Sequence, residues 1–471
     1  MRAIAYARAH WPWVGVLVVW NLNYAAIPGS APDDEKAGWS LLRADGSPRP
    51  ALAALAALNA IGSVASVPPA DGGAMPTSAG IPPPSAFVAA ATNQAIVPGV
   101  SPRVPGTRAN LPWRVGAPDF RRVAAGAAYS LVVANDGTLQ GWGDNDYGQV
   151  GDGTTAVRRT PVGLAGPAAG VAFAAIAPGV AHSLALAQDG TIWAWGRNDR
   201  GQLGDGTQTD AATPIHLDGP TGIVAAAAGQ AYSVAIAGDG TVWTWGDNFY
   251  GELGNGTRAD SATPHQLRGP AAPSGIIAVA AGRAHTLALA RDGTIWSWGD
   301  NGYGQLGDGT TTDASMPLHL AGPGAPREII AVAVGPYSSL ALARDGTVWG
   351  WGYNGTEQLG TDPACALNCA LPVRVSLPVA ATAIAIGKYH SVAVAPDGTI
   401  WTWGENMLGE LGDGTTRPYA GPLHLTGPDA PVGIVAVATG AYHSLALAGD
   451  GSIWAWGDDT YGQLGAGGSG R

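Results

Sequence analysis

The sequence predicts an all-β fold over residues 110–471, a seven-bladed β-propeller of four-stranded antiparallel blades. Three observations predict it. One segment recurs seven times between Gly126 and Gly465, with its Asp-Gly glycines at Gly137, Gly190, Gly240, Gly293, Gly346, Gly398 and Gly451, a period of 50 to 53 residues. Each copy consists of short apolar runs bounded by glycine turns, the mark of a propeller or solenoid. The seventh copy also stops before its last strand, while a matching segment precedes the first.

Composition narrows the alternatives. The chain has 471 residues, 71 of them Gly and 36 Pro, and only 13% are charged. That much Gly and Pro without collagen's spacing can signal disorder. Here 18 Trp and 46% apolar residues instead supply a large core. A formal charge of −11, with Lys36 and Lys388 the only lysines and no basic cluster, argues against nucleic acid or an anionic membrane as partner.

Residues 1–62 stand outside the repeat. The run Trp13-Val-Gly-Val-Leu-Val-Val-Trp20 suits a strand buried on both faces. Ser47-Pro-Arg-Pro then opens a helix with Leu52, Leu55, Leu58 and Ile61 on one stripe. The apolar run is too short to span a membrane, and Pro12 and Asn21-Leu-Asn-Tyr suit a signal peptide poorly. Trp20-Asn-Leu-Asn and Gly38-Trp-Ser-Leu-Leu-Arg-Ala-Asp-Gly-Ser-Pro-Arg-Pro-Ala resemble the last strand–helix unit of a (β/α)8-barrel glycoside hydrolase, over about an eighth of the chain. Glycoside hydrolysis needs paired carboxylates from other strands, and only Asp33, Asp34 and Glu35, in one loop, are present. The expectation is a remnant without activity. Residues 63–109, rich in Pro, Ala and Ser and without periodicity, read as a linker.

Within the seventh copy Ile434-Val-Ala-Val-Ala-Thr-Gly reads as a first strand, Tyr442-His-Ser-Leu-Ala-Leu-Ala as a second and Ser452-Ile-Trp-Ala-Trp-Gly as a third. Asp450-Gly451 is expected to supply the φ > 0 positions of a tight hairpin. Segments such as Thr160-Pro-Val-Gly-Leu, Thr213-Pro-Ile-His-Leu and Pro422-Leu-His-Leu read as outer strands, where an edge tolerates Pro. The two Trp of Trp-x-Trp share a face and are expected to pack between blades. Leu111-Pro-Trp-Arg-Val-Gly parallels Leu371-Pro-Val-Arg-Val-Ser, so residues 111–116 are expected to complete the last blade and close the ring.

The motifs Gly-x-x-His-Ser-Leu-Ala-Leu, Asp-Gly-x-x-Trp-x-Trp-Gly and Gly-Gln-Leu-Gly make residues 111–471 resemble the regulator-of-chromosome-condensation repeat family. The resemblance implies a seven-bladed propeller but no single function, because the fold hosts many. Guanine-nucleotide exchange on a small GTPase, known in the family, goes with a protruding wedge and a basic tail that this evenly spaced chain lacks. The Gly-Trp-Arg-His-Thr signature of the photoreceptor branch is missing as well.

No catalytic, cofactor or metal constellation emerges. Three residues after the first-strand glycine stand Tyr129, His182, Tyr232, His285, Ser338, His390 and His443; with Tyr and Ser sharing the column, the histidines read as hydrogen-bonded blade residues. Asp136, Asp189, Asp239, Asp292, Asp345, Asp397 and Asp450 read as turn chemistry. Asp152, Asp205, Asp308 and Asp413 lack the dense spacing of a calcium cage. Cys365 and Cys369 are the only cysteines; a loop disulfide and two free thiols both remain open, while two ligands are too few for structural zinc.

The columns that vary between copies are the candidates for binding. Tyr147, Arg200, Phe249, Tyr250, Tyr303, Met407 and Tyr461 lie in the loops after the third strands, which fall on one face of a propeller. The sequence thus points to a non-enzymatic, monomeric scaffold binding a protein, or alternatively a carbohydrate, through a loop face. A second reading is an accessory module of an exported carbohydrate-active protein with a truncated barrel, and a third is an exchange factor. An extracellular or cell-surface location is favoured over a cytoplasmic one.

Overall fold

The structure, a computed structural model, describes residues 112–115 and 120–467 except 323, 361–364 and 366. The strand–helix remnant expected over residues 1–62 and the linker over 63–109 lie outside the described residues.

Seven four-stranded antiparallel sheets form the seven blades. Blade 4 is representative, with strands Ile276–Ala281, His285–Ala290, Ile295–Gly299 and Ala314–Leu320 in sheet order. First strands of neighbouring blades pack on one another all the way round, and that of blade 7 (Ile434–Thr439) packs on that of blade 1 (Phe120–Ala125). The ring is closed. As expected, blade 7 takes its fourth strand from the start of the domain: Trp113–Val115 pairs antiparallel with Ile453–Gly457, Arg114 opposite Trp454. Outer strands carry their prolines as anticipated, Pro161, Pro214, Pro264 and Pro422 among them.

The hairpin expectation needs correction. Only the glycine of each Asp-Gly, Gly137 at φ 89° for example, takes a positive φ. Gly137 N donates to Ala134 O and Ala134 N to Thr138 O, so the loop has three residues closed by a glycine bulge, not a two-residue turn. Asp136 Oδ1 instead accepts from Thr138 N and Oγ1, which fixes the turn from its side.

Second strands such as His182–Ala187 are buried along their whole length, because each is flanked by a blade on either side. Their Leu-Ala alternation then sets which neighbour sees what. Leu184 and Leu186 of blade 2 pack toward blade 3 against Ala226, Ala228 and Trp245. Ala185 and Ala187 pack toward blade 1, where Leu131 and Val133 fill the space. Large meets small at these two junctions, which lets the facing sheets interlock.

The second tryptophan of each Trp-x-Trp is the main peg. Trp195, Trp245, Trp298, Trp351, Trp403 and Trp456 are fully buried, as is Trp142 in the first copy. Each indole Nε1 donates to a loop carbonyl of the preceding blade: Trp245 to Gln202 (2.9 Å), Trp298 to Glu252 (2.7 Å), and Trp142 to Gln463 (2.9 Å) across the closing junction. The last glycine of Gly-Gln-Leu-Gly sits against this ring. At Gly204, φ is 79° and a Cβ would stand 2.7 Å from Trp245 Nε1. The first tryptophan of each pair lies at the outer rim. Trp193, Trp296 and Trp401 rest on His216, His319 and His424 of their own outer strands, besides joining the interblade clusters.

Candidate functional site

The histidine column is part of the interblade belt. His182, His285, His390 and His443 bring Nε2 to the hydroxyls of Ser233 (3.0 Å), Ser339 (3.0 Å), Ser444 (2.9 Å) and Ser130 (3.3 Å) of the next blade. Those serines donate onward to the carbonyls of Gln202, Gln305, Glu410 and Gln463. Having one proton each, they must accept from histidine, which fixes the Nε2–H tautomer. Burial pushes all four imidazoles down to about 3. Tyr129 and Tyr232 replace the contact by donating to the carbonyls of His182 (2.7 Å) and His285 (2.5 Å). Ser338 is too short to cross, and its hydroxyl has no partner. Among the described residues no three His, Cys, Asp or Glu side chains gather as a metal site.

The Gly-Asp-Gly-Thr aspartates hold loops together. Asn301 Nδ2 donates to Asp308 Oδ1 (3.0 Å) and Thr310 O (3.2 Å), while Asn301 Oδ1 accepts from Leu306 N. The same clasp recurs at Asp152, Asp205 and Asp413. In the fifth copy Asn354 Nδ2 turns instead to Gly360 O (3.3 Å) and Cys365 O (2.7 Å). There Cys365 and Cys369, both buried, are joined as a disulfide.

An antiparallel meander puts the turn between strands one and two and the loop between strands three and four at one end of every blade. These ends make a single loop face. Tyr147, Phe249, Tyr303, Met407 and Tyr461 are exposed there, at 38%, 66%, 38%, 67% and 41%. Arg200 is tied to Asp260 (3.3 Å), Arg197 lies over the Tyr147 ring (5.1 Å), and Phe249 meets Tyr250 edge to face at 4.9 Å.

The structure adds to these a continuous tyrosine arc. Tyr303 of blade 4 touches Tyr337 and Tyr353 of blade 5, both at 5.3 Å between ring centroids. Tyr353 leads to Tyr389 of blade 6 (6.1 Å), and Tyr389 to Tyr442 of blade 7 (6.3 Å). Two cations stitch it: Arg283 lies over Tyr250 and Tyr337, and Lys388 over Tyr389 and Tyr442, with Nζ 2.6 Å from the Tyr442 hydroxyl.

Carboxylates lie in the loops between strands three and four as well. In blades 1 and 7, Gln149 and Gln463 donate Nε2 to Asp144 (2.9 Å) and Asp458 (2.8 Å). In blade 3 the glutamine is Glu252, beside Asp247, whose buried Oδ1 has no partner. Burial foremost, with the Asp247 and Asp300 charges adding to it, pushes the Glu252 carboxyl up to about 8. Burial likewise raises Asp247, Asp300 and Glu410.

Comparison with known proteins decides the family. The RCC1-like domain profile matches residues 265–471, and the regulator of chromosome condensation (RCC1) repeat profile matches residues 136–186, 189–236 and 239–289. The RCC1 domain-containing mitochondrial protein RUG3 of Arabidopsis thaliana is 30% identical over 364 residues, covering 76% of this chain and 70% of that protein. The chain belongs to the RCC1 repeat family. The ultraviolet-B receptor UVR8 of the same plant is 31% identical over 346 residues, 73% of this chain, which spans 66% of the receptor's length. Prp20p of Saccharomyces cerevisiae shares the fold at a TM-score of 0.61 and 23% identity, over 72% of this chain and 84% of its own.

Within this RCC1-family propeller, the sequence singles out the loop residues after the third strands but not Arg283, Tyr337, Tyr353, Lys388, Tyr389 and Tyr442, which adjoin them. A signal existed. The second residue after the first-strand glycine is Ala128, Ala181, Ala231 and Ala284 in copies one to four, then Tyr337, Tyr389 and Tyr442 in copies five to seven. That column switches from Ala to Tyr along the chain, directly beside the histidine column.

Proposed function

We propose that this chain is a non-enzymatic, monomeric propeller scaffold that binds a protein partner through its loop face, centred on the tyrosine arc of blades 4 to 7. The observation that carries the reading is the arc itself: adjoining half-buried tyrosines bracketed by Arg283 and Lys388, with Phe249 and Met407 exposed nearby. Tyr and Arg dominate the energetics of protein interfaces because rigid rings bury much area at little entropic cost. Prp20p, which shares the fold, is described by its binding properties to Gsp1p and histones. The Cys365–Cys369 bond agrees with an oxidising compartment, so an extracellular or cell-surface location belongs to the proposal.

The test is affinity capture with the propeller, the triple variant Phe249→Ala, Tyr303→Ala, Tyr389→Ala, and Val432→Ala, an exposed residue in the connector entering blade 7 at the opposite face, as control. A partner held by the wild type and Val432→Ala but lost from the triple variant is expected. Retention by the triple variant rejects the face. Nucleotide release from a small GTPase, followed with the same preparations, is expected to be unchanged; acceleration would favour the exchange-factor reading.

A further inference from the structure

Arg283 and Lys388 stand at matching places, directly after the first-strand glycines of blades 4 and 6, in the turns that ring the propeller axis. Neighbouring turns are tied there through the main chain, Gln230 N to Arg283 O and Lys388 N to Ala441 O, both at 3.3 Å. The sister copies fill the position with Ala127, Val180, Gln230, Pro336 and Ala441, none of them charged. Lys388 is also the single lysine among the described residues.

Both cations lack a counter-ion. Arg197, Arg200 and Arg258 each reach an aspartate at 2.6 to 3.3 Å, whereas among the described residues neither Arg283 nor Lys388 forms an ion pair. Asp300, 6% exposed, accepts from Gly302 N at 3.0 Å instead. Arg283 Nε donates to Gln230 Oε1 at 3.1 Å, and its two terminal amino groups have no partner among the described residues. Lys388 Nζ donates to the Tyr442 hydroxyl at 2.6 Å, so that hydroxyl keeps its own proton to give away. Rings cover what remains: Tyr250 and Tyr337 at 5.9 and 5.7 Å from Arg283, Tyr389 and Tyr442 at 4.9 Å from Lys388. A ring compensates a cation for lost water but carries no net charge. The positive charges therefore persist among half-buried tyrosines, where water screens an approaching anion less than it does in bulk.

From these two unneutralised cations, and resting on the reading of this face as a protein-binding surface, we propose that the arc receives an acidic peptide segment of the partner. One carboxylate seats on Lys388 Nζ and the Tyr442 hydroxyl, and a second on the free fork of Arg283. The residues between them cross blade 5, over the Tyr337 and Tyr353 rings, which stand 6.4 Å apart. The acidic stretch is short, because Asp144, Asp247, Asp300, Glu405 and Asp458 stand in the adjoining loops and repel an extended polyanion such as nucleic acid.

The test selects phage-displayed peptides on the full chain and measures the enriched sequences, synthesised with a fluorophore, by anisotropy. Enrichment in Asp and Glu is expected, with affinity falling at least about fivefold between about 50 and about 500 mM salt. Lys388→Gln and Arg283→Gln should each weaken binding at least about tenfold. A carbodiimide, which joins a carboxylate directly to an amine, should couple the bound peptide to Lys388 and not to Lys36 or the N-terminus, as read by mass spectrometry. Peptides that are lost in Tyr389→Ala yet show no acidic enrichment would overturn the acidic segment and leave the protein-binding face standing. Peptides indifferent to Tyr389→Ala would overturn both. An empty selection, no coupling at Lys388, or a thymidylate oligonucleotide that binds as tightly as the peptides would each overturn the acidic segment alone.

Discussion

The belt between blades and the loop face above it are built from the same seven copies, yet they answer to different physics. In the belt, Trp298, Ser339, His285 and the Glu252 carbonyl have counterparts at nearly every junction, because each must fill a fixed gap and satisfy a fixed buried partner. On the face, the turn column is Ala231 in blade 3 and Tyr389 in blade 6. Sameness reports packing. Variation at an exposed end reports what the molecule meets.

The largest expected effect falls on the belt. Trp298→Ala should destabilise by about 3–5 kcal/mol, combining the lost transfer of a fully buried indole with a cavity and an orphaned Glu252 carbonyl. The half-buried rim residue Trp296→Ala should cost only about 1–2 kcal/mol. Denaturant unfolding of both variants measures this, and equal losses would break the distinction between peg and rim.

Next in size is closure. Without residues 111–116 the third strand of blade 7, Ile453–Gly457, loses its partner Trp113–Val115 and becomes an open edge. A lower melting temperature and self-association on gel filtration are expected. A monodisperse product with unchanged melting would mean that the side-chain belt alone closes the ring.

The pH dependence separates belt from face within one curve. The buried imidazoles, lowered from 6.5 to about 3, bind fewer protons folded than unfolded, so stability falls as pH drops below about 6.5. Glu252, raised from 4.5 to about 8, holds a proton in the folded state that the unfolded chain has released, so its contribution is lost as pH rises through that window. A stability maximum near pH 6.5 is expected from denaturant midpoints. Glu252→Gln restores the donor that Gln149 gives Asp144 in blade 1, so it should flatten the alkaline limb and add about 1 kcal/mol at pH 8. An alkaline limb that keeps its slope in this variant would show that another group controls it.

The smallest effect on stability belongs to the face. Tyr389→Ala, which removes a half-buried ring from its contacts with Tyr353 and Lys388, should lower folding free energy by about 0.5–1 kcal/mol. Its effect on partner affinity should be at least about tenfold. A variant that loses stability and keeps affinity would place the arc with the packing residues.

Period, turn glycines and alternation of large and small residues determined blade number, strand order and the missing outer strand, because these depend on spacing along the chain and on one residue's neighbours two positions away. Even the clasp was legible, since Leu111-Pro-Trp-Arg-Val copies a known outer strand. The three-residue hairpin was not, because whether Asp450 or only Gly451 takes a positive φ is set by the ladder on either side. Nor could spacing show that Tyr303, Tyr337, Tyr389 and Tyr442 form one surface. Those tyrosines come from different copies, and only the curvature of a closed ring brings them within contact.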